Sequence, residues 1–240
     1  MPPSQHPLRA QAGLAAVLAL IAGYADSYGF LNYKVFVSFM SGNTTLTGLQ
    51  TGQGDFVEAG QNFLPLPFFV AGVIAGALLV RSNLSQELRR LLVLVAALLI
   101  ACLAGVSLGP LPGWLGIMML SLAMGIMNTA VTLVGGQTVS LAYVTGDLNN
   151  LGRQLASAVK GTPVPQAQGP WDTHGHRAAL LAGLWTAFLL GAVLGGVATL
   201  HLATWTLVPP AVVLLALAML NREHSPTKTV EPPNDKEPEK

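Results

Sequence analysis

Asp26 closes the apolar run LAAVLALIAGYAD and is the first charged side chain after Arg9. Placing an acid at the centre of a membrane helix costs about 2.5–3.5 kcal/mol, and less near an interface. Acids retained at such positions face a cavity or a partner, which makes Asp26 a candidate for binding an ion or a solute. The competing structural role is a carboxylate at the outer interface that caps a helix end or pairs with Lys34. Further on, SGNTTLTG, residues 41–48, gathers glycines, hydroxyls and an amide between apolar flanks. Gly42 permits a tight turn or close backbone approach, while Ser41, Asn43 and Thr44 supply hydroxyl and amide groups. Read as a helix start, Ser41 or Asn43 is a good N-cap, and the free N–H groups of that first turn would face a bound ligand. Thr145, Gly146 and Asp147 in TGDLNNLG offer the same hydroxyl, glycine and cap series, and Asn128 is another polar residue inside an apolar run. Irregular backbone at membrane depth survives only against protein or a watered cavity. The two motifs are therefore expected to enter partway from opposite faces and line a shared central site. The alternative is that small and hydroxylated residues simply let helices pack closely.

Other chemistries are poorly represented. WDTHGHR brings Asp172, His174 and His176 together, but alternation of this kind in a polar loop reads as solvent-exposed, not as a metal site. There is no Gly-rich phosphate loop, no metalloprotease His-Glu-x-x-His and no Gly-x-Ser-x-Gly elbow. The chain is not expected to be an enzyme, and no cofactor or metal is expected.

The composition dictates the scaffold that must position these residues. Of 240 residues 52% are hydrophobic and 10% are charged, whereas soluble domains carry about 25% charged residues. The runs FFVAGVIAGALLV, LLVLVAALLIACLAGVSLG, WLGIMMLSLAMGIM and residues 178–220 can each be extended to a crossing, which takes about 20 residues for a hydrocarbon core about 30 Å thick. Helices are expected near residues 10–31, 62–80, 88–108, 113–134, 177–199 and 202–220. The N-terminal segment is read as the first of them and not as a signal peptide, because it has a counterpart in the second half. The fold class is therefore an all-α integral membrane protein with about six transmembrane helices in the lipid bilayer of a bacterial inner membrane.

Lysine and arginine set orientation. Arg9, then Arg81, Arg89 and Arg90, then Arg153, Lys160 and Arg177, then Arg222 fall on one side of six spans, and the opposite loops hold only Lys34. Both termini are thus expected in the cytoplasm. A net charge of +1 without a basic block excludes a nucleic-acid partner. The lone Cys102 excludes an internal disulfide or a thiolate metal cluster.

The chain also resembles itself. IAGYADSYGF aligns with AMGIMNTAVT, placing Gly23 over Gly125 and Asp26 over Asn128, and SGNTTLTG aligns with TGDLNNLG. Gly72 and Gly76 in AGVIAGA then match Gly191 and Gly195 in LGAVLGG. Gly-x-x-x-Gly in an apolar helix is a close-packing face, read as the seam between halves or as a homodimer contact. Three spans per half would place the second half upside down relative to the first, the inverted repeat of many secondary transporters. The expected organisation is a cytoplasmic tail at 1–9, a first membrane repeat at 10–108, a second at 109–220 and a disordered cytoplasmic tail at 221–240. Each repeat carries its polar Gly/Thr/Asn segment after its first helix.

GYADSYGFL and FVSFMSGNTTLTG, followed by GIMNTAV and VTGDLNNL, resemble the YoaK-like family of bacterial multi-pass membrane proteins, a domain of unknown function. The resemblance covers about residues 12–220 and is most specific at Asp26, Ser41-Gly42-Asn43-Thr44, Asn128 and Thr145-Gly146. Ser41 stands where many members have threonine, which keeps a hydroxyl, and Met127 stands where they favour glutamine, which removes an amide. The resemblance implies about six spans and no established reaction. From the residues, the expected function is a small secondary transporter or permease of an unknown small solute or ion. The alternative is a non-transporting membrane subunit, receptor or assembly factor acting through protein partners.

Overall fold

The computed structural model describes residues 6–80, 84–109, 111–135, 144–165, 167 and 169–220. The expected tail at 221–240, with Arg222, and Arg81 lie outside them. Among the described residues the regular structure is entirely helical. The helices are α1 (His6–Tyr33), α2 (Met40–Gln53), α3 (Phe56–Phe63), α4 (Pro65–Leu79), α5 (Leu84–Leu108), α6 (Gly113–Gly135), α7 (Val144–Lys160), α8 (His174–Leu202) and α9 (Val208–Leu220).

Local chemistry explains the boundaries that matter for the site. Lys34 takes a left-handed φ of 58° directly after α1, and Gly54 at φ 81° closes α2. Asp55 caps α3 by accepting the Glu58 N–H at 3.1 Å. Pro65 opens α4, a position where its missing N–H costs nothing.

Five stretches are long and apolar enough to cross a membrane: 12–33, 56–79, 86–108, 113–130 and 174–220. Six separate helices were expected, and the difference lies in the last stretch. It runs for 47 residues but breaks at Ala203, which has φ 47°, into a 3-10 turn (Ala203–Leu207) that leads to the 13-residue α9. FVEAGQNF, by contrast, is helical and extends the second stretch upstream of the expected residue 62.

Of the five stretches, those of α1 and α6 are the most enclosed, 61% buried against 11–33% for the others. They meet in an apolar cluster that includes Leu18, Ile21, Ala22, Leu120, Met124 and Met127. α8 packs along α1, α4 along α6, and α9 along α5, while α7 lies on α8 and α2 lies on α3 and α4. Cys102 is fully buried in α5.

Both glycine pairs lie in these contacts. On one seam, Gly23 of α1 meets the Phe188 carbonyl and Gly191 of α8 meets the Leu20 carbonyl; on the other, Gly125 of α6 meets the Phe69 carbonyl and Gly72 of α4 meets the Leu122 carbonyl. Each carbonyl belongs to the residue three positions before the glycine on its own helix. A methyl group at any of the four glycines would collide with that backbone. Hydroxyls follow the same reciprocity: Ser27 donates to the Ala192 carbonyl at 2.7 Å and Thr129 to the Val73 carbonyl at 3.4 Å. Gly195 meets Tyr24, and Gly76 meets Thr129. Residue numbers rise together across each seam, so α1 runs parallel to α8 and α4 parallel to α6. Such close backbone approach is how helices associate where lipid removes the hydrophobic drive between them.

Candidate functional site

Asp26 lies on α1 with its side chain turned toward residues 37–39, the segment that leads into α2. Its Oδ1 accepts the N–H of Val37 at 2.8 Å, of Ser38 at 2.7 Å and, at 3.4 Å, of Phe39, and its Oδ2 accepts the Ser38 hydroxyl at 2.7 Å. These donors belong to the irregular segment before α2, and of them only Phe39, the N-cap residue, is part of the helix start. Of the two structural roles considered for this residue, helix capping is limited to the 3.4 Å bond from the N-cap Phe39, and the shorter bonds hold the turn that precedes α2. The pairing with Lys34 is absent, since that ammonium sits 5.8 Å from the Phe30 ring centroid.

Asn43 completes the same turn. It is fully buried, accepts the Phe36 N–H at 2.9 Å and donates to the Phe36 carbonyl at 2.6 Å. This arrangement corrects the expected irregular motif. Residues 41–48 belong to a regular helix, and the irregular backbone is the preceding 34–39. Phe39, without a side-chain hydrogen bond, holds the N-cap position, so neither Ser41 nor Asn43 caps. The threonines fit the helix by back-bonding: Thr44 to Met40, Thr45 to Ser41, Thr47 to Asn43 and Thr51 to Thr47, all at 2.7–3.0 Å. Gly42 is needed because a Cβ there would overlap the Phe39 ring.

The second motif opens α7, with Thr145 exposed, Gly146 buried and Asp147 half-buried. Burial pushes the Asp147 carboxyl up to about 6 from its ordinary 3.8. Asn128 is half-buried on α6. Among the described residues the two motif helices have different neighbours: α2 rests on α3 and α4, while α7 rests on α8.

WDTHGHR also departs from expectation, because Asp172 and His174 are buried, not solvent-exposed. Arg177 donates to both Asp172 oxygens at 2.8 Å. His174 lies 2.6 Å from Gln154 Oε1 and 3.0 Å from the Thr162 carbonyl, fastening the α7–α8 connection to α7.

Beside Asp26 opens a groove of about 400 Å³ between α1 and α8. Its lining includes Asp26, Phe30, Phe36, Phe39, Phe188 and Gly196. Phe30 and Phe36 stack with ring centroids 5.0 Å apart, and Phe39 meets Phe36 edge-on at 5.4 Å. Sequence reasoning missed this wall. Its available signal is the recurrence of an aromatic at every third position, Phe30, Tyr33, Phe36 and Phe39.

Residues 14–220 match the family described as "Protein of unknown function (DUF1275)". The chain belongs to that family. Two relatives are similar to the chain in sequence. "UPF0700 transmembrane protein RA0705" of Rhizobium meliloti (strain 1021) is 35% identical over 215 residues, covering 88% of this chain and 87% of that protein. "UPF0700 transmembrane protein YoaK" of Bacillus subtilis (strain 168) is 32% identical over 145 residues, covering 58% of this chain and 64% of that protein. No solved structure matches the chain. This DUF1275 member is thus a multi-pass helical membrane protein, and the YoaK-like resemblance of its motifs is a true relationship.

Proposed function

We propose that the protein is a small secondary transporter or permease of a small solute, built as two inverted three-helix halves in a bacterial inner membrane with both termini cytoplasmic. One observation carries the reading: each half lends its first helix to the other half's middle helix, through the same glycine-to-carbonyl contacts on both seams. Two equivalent seams in one chain are what a rocking mechanism uses, since exchanging the packing of one for the other exchanges the open side. The 47-residue final stretch supports six crossings, because about 20 residues suffice for one.

A second reading draws on the Asp26 site itself. Asp26 and Asn43 both spend their polar atoms on their own backbone turn, as a structural membrane subunit acting through partners would have them do. A thermal-stability screen of the purified protein against metabolites, ions and drugs separates the two. A ligand at a hundred times its dissociation constant adds about 2.7 kcal/mol, and uptake of that ligand into proteoliposomes supports transport. A blank screen with a stably co-purifying protein supports the subunit.

A further inference from the structure

We infer that the groove beside Asp26 binds a hydrophobic organic cation, an amine or quaternary onium ion. Four phenylalanines from three chain segments line it: Phe30 from α1, Phe36 and Phe39 from the connecting turn and Phe188 from α8. Its volume, about 400 Å³, falls in the range of small-molecule pockets, about 300–1,000 Å³. Its polar lining is the Ser27 hydroxyl, spent on the Ala192 carbonyl, and the carboxylate of Asp26, a residue 4% exposed. Asp26 is held by three N–H groups and one hydroxyl, all neutral donors. Among the described residues no lysine, arginine or histidine forms an ion pair with Asp26, and Lys34 sits over the Phe30 ring instead.

Buried charges in membranes are paired or face an ion's path, and aromatic faces attract cations electrostatically. The two requirements converge on one ligand class, with its charge toward Asp26 and its apolar substituents against the rings. The chain already shows the preference, since Lys34 places its own ammonium over the Phe30 ring. An anion would meet an unneutralised carboxylate and the negative faces of the rings. A neutral apolar molecule would offer the carboxylate no counter-charge.

As a claim about a transported substrate this rests on the transport reading; as a claim about binding it does not. The probe pair is tetraphenylphosphonium and tetraphenylborate, similar in shape and opposite in charge, measured by equilibrium binding to the full chain in nanodiscs against empty nanodiscs. The phosphonium should bind saturably and the borate should only partition into lipid. Asp26→Asn should weaken phosphonium binding by roughly tenfold or more. Because that variant could also loosen the turn, Gly196→Leu is the companion: Gly196 lines the groove and has open space beside it, so leucine fills the cavity without touching the Asp26 hydrogen bonds. It should abolish binding while leaving the ligand-free melting temperature unchanged. Equal retention of both ions, or wild-type phosphonium affinity in either variant, overturns the inference. Saturable binding without proteoliposome uptake removes the transport reading and leaves the site standing. Uptake of another solute with no phosphonium binding does the reverse.

Discussion

Asp26 accepts the backbone N–H of Ser38 at 2.7 Å across the whole turn that joins α1 to α2. One carboxylate thereby fixes the direction in which the chain leaves the first helix. Hydrogen bonds to charged groups contribute about 1.5–3 kcal/mol, and these donors are buried. Asp26→Ala should therefore lower stability by about 3 kcal/mol or more, read as a lower melting midpoint in detergent. Asp26→Asn keeps one acceptor oxygen and should lose less, and Ser38→Ala should lose least. A melting curve for Asp26→Ala that overlays the wild type would show that the turn does not depend on this acceptor.

The seam glycines give a sharper contrast. Gly23→Ala, Gly125→Ala and Gly191→Ala each drive a methyl group into backbone, and overpacking costs about 1–3 kcal/mol when the neighbours cannot yield. Gly196→Ala, one residue beyond the seam position Gly195, meets nothing within 4 Å and should stay within about 0.5 kcal/mol of wild type. Indistinguishable unfolding of Gly191→Ala and Gly196→Ala would contradict the close α1–α8 contact.

Topology is readable by labelling. Thr45 and Asn149 are both exposed on the motif helices. In a Cys102→Ala background, Thr45→Cys and Asn149→Cys should react with an impermeant maleimide from opposite sides, one in intact cells and the other in inverted vesicles. Labelling of both from one side would mean that α2 and α7 themselves cross the membrane, and the inverted arrangement would fall.

Asp147 should leave a signature in the pH dependence of stability. Its carboxyl titrates near 6 in the folded chain against 3.8 ordinarily, so the folded state favours the protonated form. The associated stability is fully present below about 3.8 and is lost as pH rises through about 6. Asp147→Asn removes the titration, so its melting point relative to wild type should climb from pH 4 to pH 7. A constant difference across that window would place the carboxyl in water.

Much of this was legible in the residues. The apolar runs announce membrane helices, and the Gly72/Gly76 and Gly191/Gly195 pairs announce close-packing faces, whereas the seam roles of Gly23 and Gly125 emerge only in the fold. What the linear order conceals is direction. Nothing in the spacing says that Asp26 reaches the backbone N–H groups at 37–39 and not Lys34, because that depends on a left-handed residue after α1. Helix propensity argues against α2, with Gly42, Gly48, Gly52 and its threonines, yet each of four threonines satisfies its hydroxyl within the helix. Asp172 and His174 look exposed in a polar segment, and tertiary partners on α7 and α8 bury them. Linear order also conceals that the two motif helices pack on different neighbours, α2 on α3 and α4 and α7 on α8.

The exchange of helices between halves also constrains how the chain is made. α1 cannot seat Gly23 until Phe188 exists, and α4 cannot seat Gly72 until Leu122 exists. At about 5–20 residues per second the ribosome leaves the α1 face bare for on the order of ten seconds. A nascent first half therefore sits in the membrane with both of its glycine grooves unmatched, each able to accept the wrong helix. Fidelity of biosynthesis thus depends on whatever shields those faces until the second half arrives.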